Sequence, residues 1–136
     1  MQPARGHYML PTTAIKAVIR NRQGRILLLQ RNPKTRPTDN WDLPGGLMQD
    51  GESEEQTLLR EVEEELGVKA TILCKGRRWH FPRLKDGKRV DVQNYECSIA
   101  SENIVLSDEH IRYEWLTIEE IRDYPVKDES LYASLE

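Results

Sequence analysis

"GGLMQDGESEEQTLLREVEEELGV", residues 45–68, sets a glycine pair ahead of Glu52, Glu54, Glu55, Glu61, Glu63, Glu64 and Glu65. Ser53 with Gln56 three residues on forms a capping box, and Gly67 is placed to end the helix that begins there, so the pattern predicts a helix over 54–66. Each helical residue advances about 100° around the axis. Leu58, Leu59, Val62 and Leu66 then share one arc, wide enough to dock on a sheet. Glu61, Glu64 and Glu65 stand at i, i+3 and i+4 on an arc beside it. Carboxylates at that spacing repel by a few tenths of a kcal/mol per pair in water, and by more when partly buried. A divalent cation reverses the sign. Hard oxygen ligands on one face suit Mg2+ or Mn2+, with waters and substrate phosphates completing the shell. For "REVEEEL" alone, a solvated face is the simpler reading. The flanks favour a site: Gly45 and Gly46 permit a backbone that brings a carbonyl close to an ion. Glu52 and Arg60, an opposite pair eight residues apart, would tie the loop to the helix.

Around this segment, residues 14–20 and 26–30 read as apolar strands joined by a turn at 21–24, hence a hairpin. Residues 32–40 are polar with two prolines and read as a loop, and 41–43 as a short strand leading into Pro44, Gly45 and Gly46. Residues 70–81 and 90–100 flank Asp86-Gly87, a tight-turn dipeptide. Residues 112–116 read as a further strand. Thr117 with Glu120 caps a second helix over 118–123, broken before Pro125. Strands interleaved with two helices predict a layered α/β or α+β domain.

A chain of 136 residues with a net charge of -3 fits one domain, taken as 1–136, and carries no general affinity for nucleic acid or acidic membranes. Cys74 and Cys97 form no disulfide framework or metal-ligand set, and are expected to be ordinary, mostly buried thiols in a reducing cytosol. No signal pattern opens the sequence, and apolar runs such as 26–29 are far too short to cross a bilayer. A soluble, cytoplasmic protein is expected. Nothing in the sequence specifies an oligomeric state.

Gly46, five residues, Glu52, seven residues, then Arg60-Glu61-Val62-x-Glu64-Glu65-x-Gly67-Val68 matches the Nudix box at all nine specified positions. The surrounding "WDLPGG" and "EWLTIEEI" also resemble the family's. The departures, Gln49 for a common glutamate and Thr57-Leu58 for a commoner small pair, fall outside the fixed positions. This resemblance to the Nudix (MutT-like) hydrolases implies an α/β/α sandwich with a mixed central sheet. It implies hydrolysis of a nucleoside diphosphate linked to another moiety, with Mg2+ or Mn2+ and an attacking water. By the same resemblance Gly45 (through its carbonyl), Glu61, Glu64 and Glu65 would hold the metal, and Glu52 and Arg60 would be structural partners. Glu61 and Glu64 are the catalytic candidates, Glu61 for contact with the water; which glutamate is the base varies within the family. A late-loop acid is expected as a further metal ligand, and Glu109 stands where it should be. His110 beside it is expected at the surface, since oxygen-rich hard-metal sites rarely recruit imidazole.

Arg31 resembles an arginine that points at the phosphates or base in related triphosphate hydrolases; a solvent-facing charge is the alternative. From 75 to 89, seven basic residues, Arg78 among them, interleave with Trp79, His80 and Phe81, so the segment could grip polyphosphate and stack a base. The alternative is a solubilising edge strand. Asp128, in "DYPVKDES", loosely matches the place of a base-reading residue in members that cleave oxidised guanine nucleotides, against a plain surface aspartate. The favoured substrate is a nucleoside triphosphate. RNA 5′ ends or dinucleoside polyphosphates come second. A non-catalytic nucleotide sensor comes third, since it should have lost the carboxylates kept here. Marks of ADP-ribose or coenzyme A hydrolases are not convincing, Pro82 lying near but not at the expected spacing.

Overall fold

The computed structural model describes residues 12–35, 40–83, 85–126 and 128–136. Its elements are β1 (Thr12–Ile19), β2 (Ile26–Arg31), β3 (Trp41–Asp42), β4 (Gly45–Leu47), α1 (Glu54–Leu66), β5 (Ala70–Pro82), β6 (Arg89–Ile99), β7 (His110–Leu116), α2 (Ile118–Ile121) and α3 (Glu129–Ser134). A mixed four-stranded sheet runs β4-β1-β6-β5, with β1 parallel to β6 and antiparallel to β4. A smaller antiparallel sheet runs β3-β2-β7.

α1 starts and stops where its local signals put it. Ser53 and Gln56 make both bonds of the capping box, and Gly67 closes the helix in the left-handed region at φ 68°. Leu58, Val62 and Leu66 are fully buried against Ile15, Ala17 and Ile19 of β1. Leu59 does not join them: it is 40% exposed, and Thr57 and Glu65 flank the buried arc instead. On the far side of the sheet, Val18 packs with Ile121 of α2 and Leu131 of α3, so helices cover both faces.

The expected β1–β2 hairpin is only half formed. Its turn exists, with the Asn21 N–H donating to Arg25 O at 3.0 Å and Gly24 at φ 78°. The strands then share a single bridge, Arg20 with Ile26, and part into different sheets. A strand has two edges; β4 and β6 take those of β1, and β3 and β7 take those of β2. The predicted link at Pro44, Gly45 and Gly46 is itself partly a strand, β4, laid on β1 with Gly45 opposite Lys16. The sequence carries no clear signal for α3, because six residues have little helical preference without packing. Cys97 is buried as expected, but Cys74 is exposed, lying on edge strand β5. No helix among the described residues is long and apolar enough to cross a membrane.

Candidate active site

Two consecutive glycines bring the acidic helix onto the sheet, each by its own means. Gly45 sits at φ 140°, and a Cβ there would lie 2.0 Å from the Ile15 carbonyl oxygen, so only glycine lets β4 close on β1. Its N–H donates to Glu65 Oε1 at 2.9 Å. At Gly46 a Cβ would lie 2.5 Å from Glu61 Cδ, so the Glu61 carboxyl fills the space a side chain would need.

Arg60 links the loop to this helix with both arms. Its Nε and Nη2 meet Glu52 Oε2 and Oε1 at 2.6 and 2.9 Å, a bidentate pair. Glu52 also accepts the Gln49 N–H and the Thr57 hydroxyl. The Arg60 guanidinium, chiefly, holds the Glu52 carboxyl down to about 2. The remaining nitrogen, Nη1, donates to Glu61 Oε1 at 3.0 Å and Glu64 Oε1 at 3.1 Å. Among the described residues no three acidic, histidine or cysteine side chains stand arranged around a metal. The positive partner shared by Glu61 and Glu64 is instead this guanidinium. An all-oxygen set already converging on one cation fits a hard divalent ion, which would take over that partnership. Arg60→Ala is expected to lower activity through geometry: the 45–52 loop loosens and metal binding weakens together. Mn2+ titration and amide exchange of that loop check this; activity lost with both unchanged would give Arg60 a direct substrate contact.

A second set of charges centres on Asp42; of its members sequence reasoning singled out Arg31 and missed Lys16 and Asp42. Lys16 Nζ donates to Asp42 Oδ2 at 3.0 Å, and Arg31 Nη2 meets the same oxygen at 3.3 Å. Lys16 is 5% and Asp42 1% exposed. A lone lysine inside the apolar run "TTAIKAVI" is the signal that would have found it, since an internal strand buries both faces. Burial pushes the Glu65 carboxyl up to about 8, with the Lys16 ammonium and the Gly45 N–H pulling it down.

That shift has a sign that can be tested. The unfolded chain carries Glu65 at its ordinary value, so between about 4.5 and about 8 the folded protein binds the extra proton and loses stability as pH rises. Metal-free melts across this window should show Glu65→Gln gaining on wild type toward the alkaline end. Parallel curves would mean that Glu65 titrates normally.

A cleft of about 630 Å³ is lined by Gly45, Gly46, Glu61 and Glu65, by Lys16 and Arg31, by apolar Ala14, Phe81 and Val90, and by Arg83, Lys85, Glu109 and His110. Of the residues singled out from sequence, Gly45, Glu61, Glu65, Arg31 and Glu109 therefore meet here, and Glu64, half-exposed, joins through Arg60. Asn32 ties the Glu109 loop to the end of β2, its N–H donating to Glu109 O at 2.9 Å. His110, expected at the surface, is 7% exposed; it pairs with Arg31 in the β2–β7 ladder and lines the cleft. Arg78 lies elsewhere, on β5 beside Gln93 and Glu54, lining a smaller groove against α3. Asp128 caps α3, accepting the Ser130 N–H at 2.9 Å, and does not line the cleft.

The NUDIX domain family matches residues 10–135. The MutT protein from Methanosarcina mazei Go1 has a similar structure, with a TM-score of 0.80 and 30% identity over 90% of this chain and 89% of that one. A CTP pyrophosphohydrolase of Escherichia coli (strain K12) is 41% identical over 58 residues, 43% of each chain. An RNA pyrophosphohydrolase of Tolumonas auensis is 40% identical over 70 residues, 49% of this chain and 38% of that protein. The chain thus aligns with less than half the length of these two curated relatives. With the domain match running through nearly the whole sequence, the chain belongs to the Nudix family of hydrolases.

Proposed function

We propose that this chain is a divalent-metal-dependent pyrophosphohydrolase that cleaves the phosphoanhydride of a nucleoside diphosphate derivative, with a nucleoside triphosphate as favoured substrate. One observation carries the reading: Glu61 and Glu65 are seated on consecutive glycines in a cleft that also holds Lys16 and Arg31. Anionic metal ligands beside buried cations suit a substrate that brings both a metal and surplus phosphate charge.

In this reading the Gly45 carbonyl, Glu61, Glu64, Glu65 and Glu109 hold Mg2+ or Mn2+ within the single domain 1–136 of a cytoplasmic enzyme. The ion, when bound, would neutralise phosphate oxygens and acidify a water. Glu61 contacts the attacking water and, with Glu64, is a candidate to take its proton. Arg31 orients a substrate phosphate, and Glu52 and Arg60 keep the helix and loop in register. Relatives named for CTP and for RNA support the reaction class and leave the nucleotide open.

RNA 5′ ends remain a second reading, resting on the basic 75–89 segment. Four of its seven cations have acidic neighbours within the protein: Lys75 and Arg78 lie 3.8 and 3.7 Å from Glu54, Arg83 pairs with Asp86 and Arg89 with Asp91. A free nucleotide is therefore preferred. The test is a hydrolysis screen with Mg2+ or Mn2+ over nucleoside triphosphates, dinucleoside polyphosphates and 5′-triphosphorylated RNA, with products identified. Nucleoside monophosphate plus pyrophosphate from free triphosphates is expected. Turnover of RNA alone selects the second reading, and cleavage of nothing overturns both.

A further inference from the structure

Among the described residues, β4 and β5 stand at the ends of the larger sheet and β3 and β7 at the ends of the smaller one. β3 and β4, of two and three residues, are too short to recruit another strand. β5 is long, but Lys75, Arg77 and Arg78 lie exposed along it, and crowded like charges discourage a further strand, above all a second copy of the same one. β7 is built differently. Its seven residues pair with β2 on one side only. Tyr113 and Trp115, opposite Leu29 and Leu27, share one face; Tyr113 is 37% exposed, Trp115 is half-buried, and Ile111 at the start of the strand is 46% exposed. Arg112 and Glu114 alternate with them. Both are exposed, and neither makes an ion pair among the described residues.

We propose that β7 pairs antiparallel with β7 of a second copy of this chain, about a two-fold axis at Tyr113. In such a contact residue i meets j of the other copy, and j meets i. Centred on Tyr113, the axis sets Arg112 of each copy opposite Glu114 of the other, and Ile111 opposite Trp115 at either end. Opposite charges and apolar side chains facing each other across a ladder are the pairs that stabilise antiparallel strands. Moving the axis by one residue destroys the match: about Glu114 two glutamates would meet, and about Arg112 two arginines. The charges thus select the register as well as the partner. Ile111 is the extra residue of the irregularity between Gln30 and Arg31, which leaves 112–116 as a regular edge for the three central pairs. Across the axis the two three-stranded sheets become one continuous sheet. One short strand is a small interface, so the dimer should dissociate at about micromolar concentration.

The pairing does not depend on what the cleft hydrolyses, and its test measures mass. Sedimentation equilibrium of the whole protein, from about 1 to about 100 μM, should show a reversible rise from the 15.9 kDa of one chain to twice that mass. Arg112→Glu and Glu114→Arg should each weaken association about tenfold or more, because like charges then face each other at both ends of the axis. Combining the two exchanges remakes every pair and should restore the dimer. Both positions are exposed, so melting temperatures should stay near wild type. A wild-type chain still monomeric at about 100 μM overturns the proposal. So does a dimer that both single changes leave intact, or a double variant no better than the singles. Should a variant not fold, the wild-type chain answers: amides within 111–115 must exchange more slowly at high protein concentration than at low, and equal exchange overturns the pairing.

Discussion

Glu64→Gln and Glu65→Gln are each expected to lower turnover by roughly two to three orders of magnitude while the protein stays folded. Each exchange keeps volume and removes one negative oxygen from the set that would hold the ion. The fold should tolerate both for different reasons. Glu64 is half-exposed, so an amide there stays solvated. Glu65 is buried, but its carboxyl is already pushed toward the neutral form, and a glutamine oxygen can still accept the Gly45 N–H. Steady-state rates at saturating Mg2+, Mn2+ affinity and thermal melts separate the effects. Near-wild-type turnover in both variants would remove these carboxylates from the site.

The second large effect splits two neighbouring positions that look alike in sequence. Gly45→Ala should cost stability, roughly 2 to 4 kcal/mol, because its Cβ meets the Ile15 backbone oxygen and its φ suits glycine alone. Nothing in that contact can turn away. Gly46→Ala should fold nearly as well as wild type yet lose most of its activity, since the three atoms nearest its Cβ all belong to the Glu61 carboxyl, which can swing aside. Swinging aside is the damage: the carboxylate leaves the place that Gly46 keeps for it. Denaturant melts and rates on the two variants check the division. Equal losses of stability, or an active Gly46→Ala, would break the link drawn between Gly46 and Glu61.

What was legible in the sequence was whatever depends on near neighbours. The capping box at Ser53 and Gln56, the stop at Gly67 and the bridge from Glu52 to Arg60 are all complete within sixteen residues, so 45–68 could be read almost atom by atom. The signals failed where partners are distant. Lys16 and Asp42 are 26 residues apart and meet only because β4 folds back on β1, so neither looked chemical in the chain. The β1–β2 turn was read correctly, but which strands take the free edges is a property of the whole sheet. Metal preference puts His110 at the surface, whereas its burial depends on the tertiary setting of β7 at the cleft, which no local signal carries. Asp128 had a local role, capping a helix too short to announce itself.

The central claim is that the glutamates of α1, seated on Gly45 and Gly46, make a metal-dependent hydrolytic site. Its most direct test is the rate of phosphoanhydride cleavage by the whole protein in Mg2+, then in excess chelator, then with Mg2+ restored. Cleavage should stop with the chelator and return with the ion. Undiminished hydrolysis in excess chelator, on any substrate the protein turns over, would contradict the claim.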